Sequence, residues 1–345
     1  MRNLPQVFQR VSWGSLGQGL GSARGGAGIL SLRPFRFSPP SQSRVFKEEP
    51  APGGWRYWID QPAGAGAIAG VLNMGILAAS HDETSGAANW NTLAELDPLW
   101  AILSDPQKRS SGWDRAEFFS TGDQEANRVL AMCRSHGISV SYGKLLDFGC
   151  GVGRMTRAFS RHFESCVGID VSEKMIGLAR EFNAGHPRCE FIASDAGVLP
   201  FVEKSFDFVF TVLVLQHLAS RSMILEYIAE FIRVAKDNAT IVFQLPNEVP
   251  LRRRIQLRRR LWPLLESLGI PPSWLFNKLG LAPILLNGVP RKEIEGFVAT
   301  HGGRVRAVER YDPAEDNYHS YYYFVSRQPR LSSYVGEELA AEGLR

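Results

Sequence analysis

The segment LLDFGCGVGRMTRAF, residues 145–159, is the feature that most constrains the fold of this chain. A short apolar run leads into glycines at every second position, Gly149, Gly151 and Gly153, and a helical pattern follows. Because glycine has no Cβ, the backbone can turn tightly there and come within contact distance of a ligand. The first N–H groups of a helix have no partner within it and favour a carboxylate or a phosphate. The segment therefore predicts a ligand site where a strand ends and a helix begins.

A second apolar strand, within VGIDVS at 167–172, ends in Asp170. An acidic side chain at that place can accept hydrogen bonds from both hydroxyls of a ribose. Together the two segments indicate a nucleotide-like ligand. A dinucleotide fingerprint has the spacing G-x-G-x-x-G, whereas here the third glycine comes one residue early and Arg154 and Met155 follow it.

The G-x-G-x-G turn, with Asp147 two residues before its first glycine, resembles the first motif of class I S-adenosylmethionine-dependent methyltransferases. Two later segments follow in the order of that family, SDAGVLPF at 194–201 and SFDFVFTVLVLQHL at 205–218, and the similarity is to its small-molecule type 11/12-like group. The resemblance covers residues 90–327 and implies that the cofactor is S-adenosyl-L-methionine. It assigns cofactor binding to Asp147, Gly149, Cys150, Gly151, Gly153, Arg154, Asp170, Val171, Met175, Asp195, Ala196 and Val212.

The resemblance also implies which part of the cofactor the first of these residues contact. The three glycines line the homocysteine portion, Asp147 reaches its amino group, often through water, and Cys150 fills a place in the loop that needs a small residue. Arg154 has two interpretations: it pairs with the cofactor carboxylate, or it is a solvated arginine in the first turn of the helix.

The adenosine half of the cofactor falls, by the same resemblance, to residues after the second and third strands. Asp170 takes the ribose hydroxyls, Val171 and Met175 flank the adenine, and Asp195 with Ala196 holds the adenine edge. The alternative for both aspartates is a turn or a helix cap.

Strands alternate with helical patterns along the central part of the chain, which predicts an α/β fold with a parallel sheet. The resemblance implies a Rossmann-like, seven-stranded, mostly parallel sheet with an antiparallel edge strand and helices on both faces. The residues before this core resemble the helical N-terminal cap of the family, whereas residues 247–289 depart from its standard core and indicate a helical insert before the sixth strand. The expected organisation is an N-terminal extension at 1–73, the cap at 74–140, the cofactor-binding core at 141–246, the insert at 247–289, a C-terminal helix with edge strands at 290–328 and a flexible tail at 329–345.

The first 73 residues are rich in Gly, Ser, Pro and Arg and contain no acidic residue before Glu48. Such a composition builds no core. It fits a disordered tail, an extension upstream of a true start at Met74, or a transit peptide. We expect a cytoplasmic protein, with a mitochondrial or other organellar location as the alternative if residues 1–47 are a transit peptide.

The charge and the cysteines argue against two classes of partner. Residues 1–73 hold eight of the 39 basic and three of the 35 acidic residues, so the remainder has a net charge of −1. Global charge therefore gives no reason to expect a nucleic-acid partner. The four cysteines, Cys133, Cys150, Cys166 and Cys189, have neither C-x-x-C spacing nor a histidine at metal-binding spacing, and we expect no metal site.

The expected reaction is methylation of a small-molecule acceptor, and oxygen is the expected accepting atom. Val212 lies at the end of the fourth strand, which lines the methyl-transfer site in the family. An oxygen acceptor must lose a proton, and His217, with Gln216 beside it, is the best-placed base; the alternative is that His217 only caps or packs a helix. The alternatives for the whole chain are a non-catalytic cofactor-binding regulator, a methyltransferase of a lipid-like acceptor at a membrane surface, and aminopropyl or dehydrogenase chemistry in the same pocket.

The insert at 247–289 contains a basic amphipathic pattern, LRRRIQLRRRLW at 251–262. On a helical wheel Leu251, Ile255, Leu257, Leu261 and Trp262 oppose Arg252, Arg253, Arg259 and Arg260. This pattern fits a solvated face over the insert's own core, a peripheral membrane contact through 251–262, or a site for an anionic substrate group. We also expect the insert, broken into short pieces by prolines, to act as a mobile lid over the acceptor pocket.

Overall fold

A seven-stranded sheet organises the computed structural model, which describes residues 85–195, 197–250, 255–311 and 319–329. The strands are β1 (Lys144–Phe148), β2 (Ser165–Asp170), β3 (Cys189–Ala193), β4 (Phe206–Thr211), β5 (Ala235–Pro246), β6 (Gly303–Arg310) and β7 (Ser320–Arg327). Their order is β3-β2-β1-β4-β5-β7-β6. The first five strands pair in parallel, and β7 pairs antiparallel with both β5 and β6. The predicted fold class is confirmed, with the antiparallel strand lying one position in from the edge that β6 forms.

Helices precede the sheet and connect its strands. They are α1 (Ser85–Leu96), α2 (Pro98–Ile102), α3 (Arg115–Ser135), α4 (Arg154–Phe159), α5 (Glu173–Phe182), α6 (Arg221–Val234), α7 (Leu257–Ser267), α8 (Pro272–Leu279) and α9 (Arg291–Thr300), with short 3₁₀ turns at Pro106–Lys108 and Leu215–His217. We call residues 85–135 the cap and keep the term insert for 247–289.

Alternating strand residues divide the core between the two faces of the sheet, as the two-residue period of a strand requires. Phe208 and Phe210 of β4 pack with α4 and with the cap, which includes α3. Val209, between them, packs with α6 and α9. Both faces are therefore covered by helices. The carboxyl ends of the parallel strands form an open edge, where ligands bind in folds of this kind.

Helix α3 begins earlier than predicted because of one aspartate. The sequence predicts a helix from Gln124 to Cys133, but α3 begins nine residues earlier, at Arg115. Asp114 caps this helix by accepting a hydrogen bond from the backbone N–H of Glu117 at 2.9 Å. The buried Phe118 and Phe119 then give the added turns a face against the core.

The boundary between α6 and β5 is also shifted. The sequence predicts a helix to Asp237 and a strand from Thr240, whereas the helix ends at Val234 and the strand begins at Ala235. Ala235 pairs with Phe206, and its carbonyl accepts a hydrogen bond from the buried Arg327 guanidinium at 2.7 Å. Residues 235–237, which the helical pattern includes, therefore form strand because they pair with residues that are distant in sequence.

The insert forms two short helices, α7 and α8. Pro263 lies inside α7, and Pro271 and Pro272 separate the two helices. Several predictions fall outside the described residues: the extension at 1–73, the first part of the cap at 74–84, the tail beyond Pro329 and, within the basic pattern, Leu251, Arg252 and Arg253.

Candidate cofactor and acceptor site

The glycine loop after β1 has the backbone that its sequence predicts. Gly149, Gly151 and Gly153 have φ values of +72°, +52° and +83°, in the left-handed region that favours glycine. Neighbouring side chains also exclude a larger residue. A Cβ at Gly153 would lie 2.6 Å from the Phe191 ring, and one at Gly149 would clash with the Val214 side chain. The loop therefore requires glycine for both conformation and contact.

Asp170 is half-buried at the end of β2, and backbone groups on both sides hold its carboxylate. One oxygen accepts from the N–H of Gly151 and the other from the N–H of Ser172, both at 2.9 Å. Burial raises the pKa of Asp170. Each carboxylate oxygen can accept a further hydrogen bond, so this fixed carboxylate is suited to a pair of hydroxyls beside the glycine loop.

Asp147 on β1 is almost fully buried and accepts a hydrogen bond from Thr156 Oγ1 at 2.6 Å. Burial raises its pKa to about 6, although the bond from Thr156 and the charge of Arg154 act in the opposite direction. Sequence reasoning missed Thr156, which lies in α4. Its signal was a hydroxyl placed in the first turn of the helix that follows the glycine loop.

Arg154, the first residue of α4, is buried rather than solvated. Its Nη1 donates to Thr121 Oγ1 at 3.3 Å, and its buried Nε has no hydrogen-bond partner among the residues that the structure describes. A buried guanidinium that keeps a free donor is costly unless an anion pairs with it. The interpretation of Arg154 as a solvated first-turn arginine is therefore wrong.

The other predicted cofactor residues lie in different surroundings. Met175 is buried in the core cluster that includes the cap, and Val171 is half-buried. Asp195 is exposed after β3, and Ala196 lies outside the described residues. The predicted packing of Cys150 agrees with its buried position, and Val212 is buried directly after β4.

The cap covers the open edge of the sheet. Asn91 of α1 accepts a hydrogen bond from Ser172 Oγ at 2.7 Å, directly after Asp170. Trp90 meets the His217 ring edge-on at 5.6 Å, and Ile102 of α2 is so close to Gly151 that a Cβ there would lie 2.5 Å from its Cδ1. Helix α1 thus spans the edge from the end of β2 to the turn after β4. Sequence reasoning placed a cap in this region but did not identify these contacts.

His217 and Gln216 follow β4 in a 3₁₀ turn and bond to each other. The ring Nδ1 of His217 lies 2.5 Å from the Leu285 carbonyl, and its Nε2 lies 3.3 Å from Gln216 Nε2. These partners assign the proton to Nδ1 and leave Nε2 as the acceptor. Burial lowers the pKa of His217 to about 4, so its ring is neutral at neutral pH.

Gln216 is itself held by a residue that the sequence analysis missed. The buried Gln244 of β5 donates to Gln216 Oε1 at 3.2 Å and accepts from the N–H of Leu213 at 2.9 Å. Leu213 has a φ of +66°, an unusual value for this residue type. Gln244 could have been noticed in the sequence because it is the one amide side chain in the predicted strand segment TIVFQLP.

The insert packs on the cap through Arg109. This guanidinium lies 4.6 Å from the Trp100 ring and 4.1 Å from the Phe276 ring, and it donates to the Phe276 carbonyl at 2.7 Å. Trp262, Leu275 and Phe276 of the insert are buried in the same core cluster. The predicted mobile lid is thus attached to the cap in this structure.

Comparison with known proteins agrees with the assignment of the glycine loop. Residues 146–243 match the family described as methyltransferase domain. A demethylmenaquinone methyltransferase from Clavibacter sepedonicus is 34% identical over 149 residues, 42% of this chain and 58% of that protein. A ubiquinone biosynthesis O-methyltransferase from Sinorhizobium medicae is 35% identical over 91 residues, 26% of this chain and 37% of that protein. The chain spans about half the length of the demethylmenaquinone methyltransferases it matches.

Among solved structures, magnesium protoporphyrin IX methyltransferase from Synechocystis PCC 6803 with bound SAH matches 71% of this chain and 99% of its own, at 17% identity and a TM-score of 0.47.

A seven-stranded sheet in this order, with a glycine loop after β1 and an acid at the end of β2, defines a Rossmann-like methyltransferase fold. The match over 146–243 shows a methyltransferase domain, in agreement with the resemblance of the motifs to class I S-adenosylmethionine-dependent methyltransferases. The cofactor of this class is S-adenosylmethionine, and the residues present fit it. The backbone of the glycine loop is open to close approach by a ligand. Asp170 offers two acceptors for the ribose of the cofactor, and the free Nε of Arg154 offers a donor for the carboxylate of the cofactor.

Proposed function

We propose that this protein transfers a methyl group from S-adenosylmethionine to a small-molecule acceptor, and that the accepting atom is oxygen. The observation that carries the proposal is the Asp170 carboxylate, which two backbone N–H groups fix beside the glycine loop. A fixed acid in this place selects a ligand with a ribose diol.

The protein's contribution to such a reaction is chiefly position. The bound cofactor supplies an electrophilic methyl group on a sulfonium, and its transfer is an in-line displacement that needs donor and acceptor held in near-attack geometry. Asp170 would anchor the ribose of the cofactor, and Arg154 would anchor its carboxylate. The cap, through Trp90, Asn91 and Ile102, would exclude water from the edge.

Relatives support the class of acceptor. One is named for demethylmenaquinone and another as an O-methyltransferase of ubiquinone biosynthesis, and both names describe small-molecule acceptors. The second name supports oxygen as the accepting atom.

We propose His217 Nε2 as the group that takes the acceptor proton. Its lone pair faces Gln216, whose amide would move aside or share the site when the acceptor binds. A neutral imidazole whose conjugate acid has a pKa of about 4 is a weak proton acceptor, but it stays unprotonated at neutral pH. The rate at saturating substrates should therefore be flat from pH 7 to 5 and fall near pH 4. A pH–rate profile that falls near pH 6.5 in wild type, but not in His217→Ala, would contradict the burial that lowers the pKa of His217.

Incubation of the full chain with isotopically methyl-labelled cofactor and a metabolite extract, followed by mass spectrometry, tests the proposal. We expect label in a small molecule with wild type and with Glu190→Ala, an exposed carboxylate on β3, and no label with Asp170→Ala. Cofactor binding without transfer to any extract would instead favour a regulatory protein that keeps the cofactor site.

A further inference from the structure

The insert carries most of the exposed apolar surface of the described residues. Of the nine large apolar side chains exposed there, six lie between 255 and 279: Ile255, Leu257, Leu264, Leu268, Trp274 and Leu279. The remaining three are Tyr142, Val198 and Val202. Exposed apolar residues gathered on one short segment mark an interaction surface more often than single ones do.

Three of these leucines share one face of α7. Leu257, Leu264 and Leu268 are spaced seven and four residues apart, which places them within about 40° on a helical wheel. Their exposed fractions are 60%, 41% and 71%. The neighbouring face, with Leu261, Trp262 and Leu265, already packs against the core. The exposed stripe is therefore not needed to hold α7 in place.

The same segment is strongly basic. Between residues 251 and 280 the sequence has six arginines and one lysine against a single acid, Glu266. Arg260 and Lys278 are exposed, and neither has a salt bridge to any residue that the structure describes. Their charge is available to an external partner.

We propose that the insert docks this protein on an anionic lipid bilayer, with the stripe Leu257, Leu264 and Leu268 entering the interface and Arg260 and Lys278 facing the headgroups. Interfacial helices combine these two features. Anionic lipids attract basic residues at short range. A nucleic acid would use the arginines but would leave the leucine stripe exposed, so the apolar stripe favours lipid. Within the described residues no helix is long and apolar enough to cross a bilayer. Docking does not depend on the proposed methyl transfer.

Co-sedimentation of the full chain with phosphatidylcholine vesicles, with and without phosphatidylglycerol, tests the docking surface. We expect binding to the anionic vesicles that weakens with salt. The charge variant Arg260→Glu/Lys278→Glu should bind at least about tenfold more weakly. The apolar variant Leu257→Ser/Leu264→Ser/Leu268→Ser should also bind roughly tenfold more weakly, because it removes the side chains that would enter the interface and leaves the charge unchanged.

Matched controls alter exposed residues outside the insert. Arg304→Glu/Arg306→Glu on β6 and Val198→Ser/Val202→Ser after β3 should bind like wild type, and circular dichroism should be unchanged in all four variants. Because Trp274 is 45% exposed, quenching of tryptophan fluorescence by brominated lipid should diminish in Trp274→Phe. Equal binding by all variants would overturn the proposal. So would charge-variant loss without apolar-variant loss, or preference for a DNA or RNA duplex over the anionic vesicles.

Discussion

We call the edge formed by the glycine loop, Asp170 and Arg154 the cofactor edge. Hydrogen bonds that hold its carboxylates join residues close in sequence, whereas contacts in the layer formed by the cap and the insert join residues far apart in sequence. At the cofactor edge, Gly151 bonds to Asp170 across 19 residues and Thr156 bonds to Asp147 across nine. In the other layer, Arg109 bonds to Phe276 across 167 residues. The hydrogen bonds that hold Asp147 and Asp170 are therefore specified within residues 147–172, whereas the layer that would receive the acceptor exists only once distant segments meet.

The largest expected effect comes from the glycine loop. Gly149→Ala places a side chain at positive φ, which costs roughly 1–2 kcal/mol, and also drives it into Val214. We expect this variant to lose measurable binding of S-adenosylhomocysteine by calorimetry. The matched control is Gly177→Ala on α5, where a new Cβ meets nothing within 4 Å. Wild-type affinity in Gly149→Ala would show that the loop does not face the ligand.

The next effect is a dependence of stability on pH at the cofactor edge. Burial raises the pKa of Asp147 from 3.8 to about 6 in the folded protein. Between these values the folded state keeps a proton that the unfolded chain has lost. The stabilisation is complete below pH 3.8 and is lost as the pH rises to about 6, a change of about 3 kcal/mol.

Urea unfolding of wild type and Asp147→Asn measures this dependence, because the asparagine cannot titrate. We expect wild type to lose about 3 kcal/mol relative to the variant between about pH 4 and 6. The exposed Asp195→Asn is the control and should track wild type. A constant difference between wild type and Asp147→Asn over this range would mean that Asp147 is not desolvated.

A third prediction concerns the other layer. Arg109→Ala removes the bond to the Phe276 carbonyl and two ring contacts, and should lower the free energy of unfolding by about 2 kcal/mol. Affinity for S-adenosylhomocysteine should change little, and KM for the acceptor should rise. Arg304→Ala, an exposed arginine on β6, serves as the control in the same urea titration. Equal losses of cofactor and acceptor binding would show that the two regions are not separable.

The smallest effect divides the cofactor edge into two halves. Arg154→Met should weaken S-adenosylhomocysteine binding by about tenfold, the loss of one charge-assisted bond. The same variant should bind 5′-methylthioadenosine, which lacks the carboxylate, as wild type does. Asp170→Ala should weaken both ligands by tenfold or more, because both contain the ribose. An equal loss of both ligands in Arg154→Met would remove the carboxylate assignment.

The same contrast explains what could be predicted from the sequence. The parallel sheet follows from the alternation of strand and helix patterns, and the tight glycine turn follows from the absence of a Cβ. The antiparallel pairing at one side of the sheet was predicted from the family resemblance and not from a local pattern. The start of α3 at Arg115 could have been predicted from Asp114, a capping residue three positions before Glu117.

Other features could not be predicted, because they depend on distant partners. The conversion of residues 235–237 to strand requires Phe206 and Arg327, and the position of His217 requires Leu285 and Gln244. The burial of Arg154 requires α3, whose Gly122 lets the two helices come so close that a Cβ there would lie 2.6 Å from the Arg154 carbonyl. No periodicity in the sequence encodes such contacts.

The central claim is that the edge formed by the glycine loop, Asp170 and Arg154 binds S-adenosylmethionine, and calorimetry of the full chain tests it most directly. Titration with S-adenosylmethionine, S-adenosylhomocysteine and NAD compares a ligand with one ribose and a carboxylate to a dinucleotide. We predict one site that binds both sulfur ligands, does not bind NAD, and is weakened tenfold or more in Asp170→Ala. Binding of NAD without either sulfur ligand, or unchanged affinity in Asp170→Ala, would contradict this account.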